Sequence, residues 1–345
     1  ILWTVLFVNL AFPAYGASVI NAAMALQLGF DRQTLGGMFA LYMAMTGLPG
    51  PLVALSINRW GVRRTLVVGT LFIIAGAVLM ATVVTDGFAA SLAFGVLVGF
   101  GVCAGGALAT QTSVARWFVK RRSLALSLLY SAGAIGGSCA APVLNRVILA
   151  TNDWRMAWWL LAGLSTLVLL AALPLVKEEP SDLRQLPDGA QPDAGTNANT
   201  ASGIHKPKFV TSDEWTLAQA LRSPAYWMML LAIAGGGGGY TLYLAHGVVH
   251  LKDLGHSPTV GAWAVSVLTA SGLIAKVIIA AVGDRLDPRY LWALFTAAFG
   301  LGLAVVVHAH ALTSVFVFAT CLGIGFGGGI VCLMASLSNY FGTRV

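Results

Sequence analysis

Residues 58–85 read NRWGVRRTLVVGTLFIIAGAVLMATVVT. Three arginines in a short turn give way to residues 65–85, which carry no charge. At 1.5 Å per residue, a helix of that length covers about 30 Å, the thickness of a bilayer's hydrocarbon core. The same alternation recurs on either side. Apolar runs fall at 1–27, 35–57, 65–85, 88–115, 123–149 and 155–176, then at 225–250, 259–283, 290–308 and 312–338. This pattern predicts an all-α membrane protein with about ten transmembrane helices. The first run has neither a basic leader nor a small-residue cleavage site, so it is not expected to be a signal peptide.

Composition leads to the same class. The chain is 58% hydrophobic and only 10% charged, against about 25% charged in ordinary soluble domains. A soluble chain of 345 residues cannot hide that much apolar surface. The 40 glycines suit membrane helices, which pack through small residues. The four cysteines, Cys103, Cys139, Cys321 and Cys332, lie inside apolar runs and show neither a disulfide framework nor metal-ligand spacing.

The net charge of +7 would suit nucleic acid, but its placement argues against such a partner. Fifteen of the 20 basic residues lie in turns after even-numbered helices: Arg59, Arg63, Arg64; Arg116, Lys120, Arg121, Arg122; Lys177, Arg184, Lys206, Lys208, Arg222; Arg285, Arg289; and Arg344. Only Arg32, Arg146, Arg155 and Lys252 lie in the other turns. The positive-inside rule then sets both termini in the cytoplasm of a multi-pass protein of the plasma (inner) membrane.

Residues 177–223 differ from the rest. They hold Pro180, Pro187, Pro192 and Pro207 among runs of Gly, Asn, Thr, Asp and Ser, a composition that buries no core and predicts a mobile cytoplasmic linker. The expected organisation is a six-helix half over 1–176, the linker over 177–223 and a four-helix second half over 224–345. The halves echo each other. Gly105-Gly106 precedes Arg116-Trp117-Phe118, and Gly328-Gly329 precedes Asn339-Tyr340-Phe341, at a constant offset of 223. Asn58-Arg59 is likewise echoed by Asp284-Arg285. Duplicated halves of this kind build many secondary transporters.

On these residues the chain resembles the major facilitator superfamily. That family's signature after helix two is roughly Gly-x3-Asp-Arg-x-Gly-x-Arg-Arg, and here Ala54 and Asn58 replace the glycine and the acid while Arg59, Gly61, Arg63 and Arg64 match. The resemblance implies a conformational latch on the cytoplasmic side, made by Asn58, Arg59, Gly61, Arg63 and Arg64 with Asp284 and Arg285 of the second copy. Asn58 is expected to keep a helix cap but lose the charge. Arg116-Trp117-Phe118-Val119-Lys120-Arg121-Arg122-Ser123-Leu124-Ala125, running on to Ala132-Gly133 and Gly136-Gly137, is similar to the monocarboxylate and oxalate/formate porters, as is Asp153-Trp154-Arg155. Members of the superfamily usually have twelve helices, which implies two more after Arg344.

Lys276 is the leading candidate for holding substrate. It lies eight residues before Asp284, about 12 Å from the helix end, where a cation costs about 2.5–3.5 kcal/mol. Such a charge persists where it faces a wet cavity or a counter-ion. In the resembled porters an arginine on the corresponding helix holds the substrate carboxylate, whereas lysine offers a point charge without the bidentate fork. His246 follows the run Gly235–Gly239, which could break or bend helix seven. It could bind substrate or carry a coupled proton. Tyr243 lies one turn before it. Tyr15 sits near Pro13 and Gly16, where a kink is expected. Gln111 and Tyr130 could each hydrogen-bond a carboxylate or hydroxyl. Asn9, Asn21 and Asn145 rank below these. His246 and His250 have metal-pair spacing but no third ligand, and no cofactor is expected.

The resembled animal porters pair the helix-eight arginine with an aspartate one turn earlier and a lysine in helix one. Here Gly272 stands one turn earlier and helix one has no charge, so anion exchange and a proton carried by His246 both remain open. The sequence therefore reads as a monomeric secondary carrier of a small organic anion, coupled to a proton or counter-anion. Efflux of drugs or neutral solutes is the alternative, and a non-transporting sensor ranks lower. An enzyme is not expected, because the apolar runs hold almost no acids to form a catalytic cluster.

Overall fold

The structure, a computed structural model, describes residues 1–118, 122–178, 182, 215, 217–282 and 286–341. Most of the expected linker, and Asp284 and Arg285 of the expected latch, lie outside these residues. The described elements are all helical. Among the described residues, eight helices are long and apolar enough to cross a membrane, and two bent pairs make ten if each pair is one crossing. In chain order these are α1 (Leu2–Ala17 and Val19–Ala25), α2 (Arg32–Trp60), α3 (Val62–Thr82), α4 (Gly87–Val114), α5 (Leu128–Thr151) and α6 (Arg155–Leu175), followed by α7 (Pro224–Leu244 and His246–Asp253), α8 (Thr259–Ile279), α9 (Arg289–Val306) and α10 (Leu312–Leu333). Without water in hydrocarbon, the backbone has to satisfy its own hydrogen bonds, and the helix does so within one segment.

Polar residues set the helix starts. Asp31 Oδ1 accepts from Thr34 N at 2.8 Å before α2, and Asp86 Oδ1 accepts from Ala89 N at 2.9 Å before α4. Asp287 Oδ1 accepts from Arg289 N at 2.9 Å before α9. Each carboxylate satisfies an orphan N–H of a first turn.

The chain divides into two compact units, Ile1–Pro192 and Asp193–Val345. In the first, α3 and α4 approach so closely that a methyl group on Gly101 would lie 2.7 Å from the Gly69 carbonyl oxygen. Asn9, fully buried on α1, ties four helices together. Its amide nitrogen donates to Thr70 Oγ1 of α3 at 2.9 Å and to the Gly105 carbonyl of α4 at 2.9 Å. Its oxygen accepts from Ser165 of α6 at 3.2 Å. Both Asn9 and Gly105 lie in π-helical segments, Phe7–Ala11 and Cys103–Ala107. In the same unit, Tyr42 stacks on Phe94 at 4.6 Å, and Phe94 meets Trp158 edge-on at 5.7 Å.

The second unit is built on α10. A methyl group on Gly272 of α8 would lie 3.1 Å from the Gly323 carbonyl oxygen, so those two backbones nearly touch. Tyr240 of α7 stacks on Phe326 at 3.7 Å, and Tyr243 meets Phe318 edge-on at 5.3 Å. Within the expected linker, Leu217–Arg222 forms a short helix. Its Ala220 is buried with Met229, Leu333 and Phe341. At the opposite end from the basic turns, His250 and His256 reach the carbonyls of Val306 (3.1 Å) and Ala309 (2.7 Å), where α9 ends.

Candidate functional site

In the second unit Lys276 is partly buried on α8. It shares a helix face with Gly272 and Ile279, both buried, while Ile274, Val277 and Ile278 on the opposite face are 57%, 62% and 47% exposed. The lysine therefore projects from the packed face of the helix, beside an apolar cluster of Ala275, Ile279, Phe295 and Cys332. It has no hydrogen-bond or ion-pair partner among the described residues.

His246 opens the second limb of α7, which turns by 59° from the first. The expectation that the glycine run bends this helix is corrected. Residues 235–239 stay helical within the first limb, and the bend falls between Leu244 and His246. A backbone in lipid gains nothing by unwinding at glycine alone. The change of direction comes where Gly247 makes room for the ring of Tyr243, which a methyl group there would strike. Tyr243 is 6% exposed, and its buried hydroxyl has no partner among the described residues. The ring of His246 has no hydrogen-bond partner there either. Tyr243 and His246 thus meet at the bend, and Lys276 stands on the neighbouring α8.

In the first unit the structure joins two candidates directly: the Tyr130 hydroxyl on α5 donates to Gln111 Oε1 on α4 at 2.8 Å. Tyr15 lies just before the 43° bend of α1 and within electrostatic range of Tyr42. Among the lesser candidates, Asn9 is committed to the four-helix network, and Asn21 Oδ1 is buried without a partner among the described residues.

The basic turn after α2 holds a residue that the sequence reading missed. Asn58 does not cap a helix. Helix α2 runs through it to Trp60, so its exposed side chain lies away from the orphan donors of α3. The carboxylate of Glu178, just past α6, takes that place and accepts from Val62 N at 2.6 Å and Arg63 N at 2.9 Å. Gly61 permits this for two reasons. Its φ is +87°, and a β-carbon there would lie 2.5–2.7 Å from the Glu178 carboxyl atoms. Arg59 and Arg64 are exposed and Arg63 is partly buried. No local signal links Glu178 to Gly61, because 117 residues (178 − 61) separate them.

Among the described residues, no group of three or more His, Cys, Asp or Glu side chains is placed to hold a metal ion.

All-helical apolar crossings with basic turns define a multi-pass membrane protein. The chain belongs to the major facilitator superfamily, whose family model matches residues 2–345. It is 23% identical over 334 residues to an uncharacterized MFS-type transporter, YhjX, of Escherichia coli (strain K12), covering 95% of this chain and 76% of that protein. It is 31% identical over 172 residues to monocarboxylate transporter 4 of Gallus gallus, covering 47% of this chain and 35% of that one. To the fujikurins efflux protein of Gibberella fujikuroi it is 30% identical over 139 residues, 39% of this chain and 29% of that one. The chain thus spans about three quarters of the first relative and about a third of the other two.

Proposed function

We propose that this protein is a secondary active carrier that moves a small organic anion, a monocarboxylate or short dicarboxylate, by alternating access. The observation that carries the reading is Lys276, a cation on the packed face of a crossing helix with no counter-charge among the described residues. An ammonium group in that position costs several kcal/mol unless water or an anion reaches it. A visiting carboxylate supplies what the fold does not. The similarity to a monocarboxylate transporter supports the same substrate class.

His246 is the candidate carrier of a coupled proton, because its ring stands at the bend of α7 with no hydrogen-bond partner among the described residues. Exchange of one anion for another is the other coupling mode. The charge asymmetry of the turns favours both termini in the cytoplasm, and the protein is read as a monomeric carrier of the inner membrane.

Uptake of radiolabelled lactate and oxalate into proteoliposomes tests the reading. Lys276→Ala is expected to lower anion uptake by at least roughly tenfold, the ordinary worth of a hydrogen bond to a charged group. Full uptake by this variant would refute the role of Lys276. The similarity to an efflux protein supports a second reading, export of neutral or drug-like solutes. Under that reading, uncharged compounds and cations would compete best in the same assay.

A further inference from the structure

Gln111 has one accepting oxygen and one nitrogen that donates twice. The Tyr130 hydroxyl occupies the oxygen at 2.8 Å, so what the amide can still offer a partner is its two N–H groups. The Gln111 nitrogen makes no hydrogen bond among the described residues. Nor is it sealed away: Gln111 is partly buried, and the buried, unpartnered side-chain polar atoms among the described residues belong to Asn21, Tyr42, Trp158, Trp215 and Tyr243. Two free N–H groups facing hydrocarbon would cost several kcal/mol, so their environment has to be one that water or a polar solute can enter. Tyr130 itself is fixed, packed against the buried cluster of Leu6, Val114, Leu129 and Ala132. Next to it, Ser131 accepts from Trp3 of α1 at 3.0 Å.

We propose that Gln111 is a specificity-determining residue for the transported solute, its amide nitrogen donating to a carboxylate oxygen, and that Tyr130 is the positioning residue that keeps the amide turned donor-outward. The inference rests on the organic-anion reading above and sharpens it: this unit presents an oriented neutral donor, which favours a solute that only accepts at the contact. A carboxylate meets that condition, whereas the primary amide of the same acid can present N–H groups there.

The test uses the full chain in proteoliposomes, with radiolabelled lactate and oxalate as probes and lactamide as the neutral competitor. Gln111→Glu keeps an acceptor for Tyr130 and replaces the donor by a like charge. KM for the transported anion should rise roughly tenfold or more while Vmax and reconstituted yield hold. Gln111→Met, close in size and without donors, should raise KM in the same direction, so the inference stays testable if either variant folds poorly. Tyr130→Phe frees the amide to rotate and should narrow the preference for lactate over lactamide. A purely structural role would lower yield or Vmax and leave that preference unchanged. An unaltered KM in whichever Gln111 variant reconstitutes overturns this inference and leaves the Lys276 reading standing. Wild-type protein that carries neither anion overturns both.

Discussion

Asn9 shows how one side chain can hold a helix bundle together where the hydrophobic effect cannot. Lipid tails are as apolar as leucine, so association relies on packing and on interhelical hydrogen bonds of about 0.6–2 kcal/mol each. Asn9→Leu would leave the Gly105 carbonyl without its Asn9 donor and Ser165 without its acceptor. The expected result is a loss of about 1–3 kcal/mol, measured as earlier thermal unfolding in detergent. An unchanged transition would show that the network adds nothing to stability. Lys276 was legible in the sequence because a charge stands out in an apolar run. The importance of Asn9 was not, because its partners come from α3, α4 and α6 and no local pattern announces them.

Among the elements, α3 depends most on a distant part of the chain. Its first N–H groups are satisfied by Glu178, so Glu178→Ala should cost about 0.5–2 kcal/mol, the range for a lost helix cap. Gly61→Ala should cost about 1–3 kcal/mol through backbone strain, and it also pushes into the same carboxylate. Hydrogen exchange at Val62 and Arg63 is the direct readout, with faster exchange expected in both variants and unchanged exchange counting against the clamp. The sequence marked Gly61 as special through its motif but could not supply the acid that sits above it. At α9 the hydrogen bonds from Arg289 hold the Asp287 carboxyl below the usual carboxylate range. A carboxyl held low in the folded state stabilises above its unfolded pKa of about 3.9 and loses that contribution as pH falls through the lower folded value. Thermal unfolding should therefore come earlier at pH 3 than at pH 5, and Asp287→Asn should reduce the difference. An undiminished difference in that variant would assign the acid sensitivity to other groups.

For the molecule as a whole, the proposed orientation in the bilayer rests on where the arginines and lysines lie. In a variant lacking the four native cysteines, Thr85→Cys, away from the basic turns, should react with a membrane-impermeant maleimide on intact cells. Trp60→Cys, at the end of α2 among Arg59, Arg63 and Arg64, should react only after the cells are opened. The reverse pattern would invert the proposed topology. The class and the crossings were legible because lipid imposes a length and a polarity that any twenty-residue window records. The bend of α7 was misplaced in the sequence reading because five consecutive glycines are locally the weakest point of that helix. The structure turns instead where a tyrosine ring needs the room that Gly247 leaves.

The paired histidine contacts at the far end of α9 have a consequence for proton coupling. A ring nitrogen facing a carbonyl must carry hydrogen, and it carries one in the neutral tautomer and in the imidazolium alike. The contacts from His250 and His256 therefore commit one nitrogen of each ring to a carbonyl. Among the described residues of this unit the rings without such a tether are those of His246, His308 and His310, and of these His246 lies inside a crossing helix, at the elbow of α7, where the proposed proton carrier is placed.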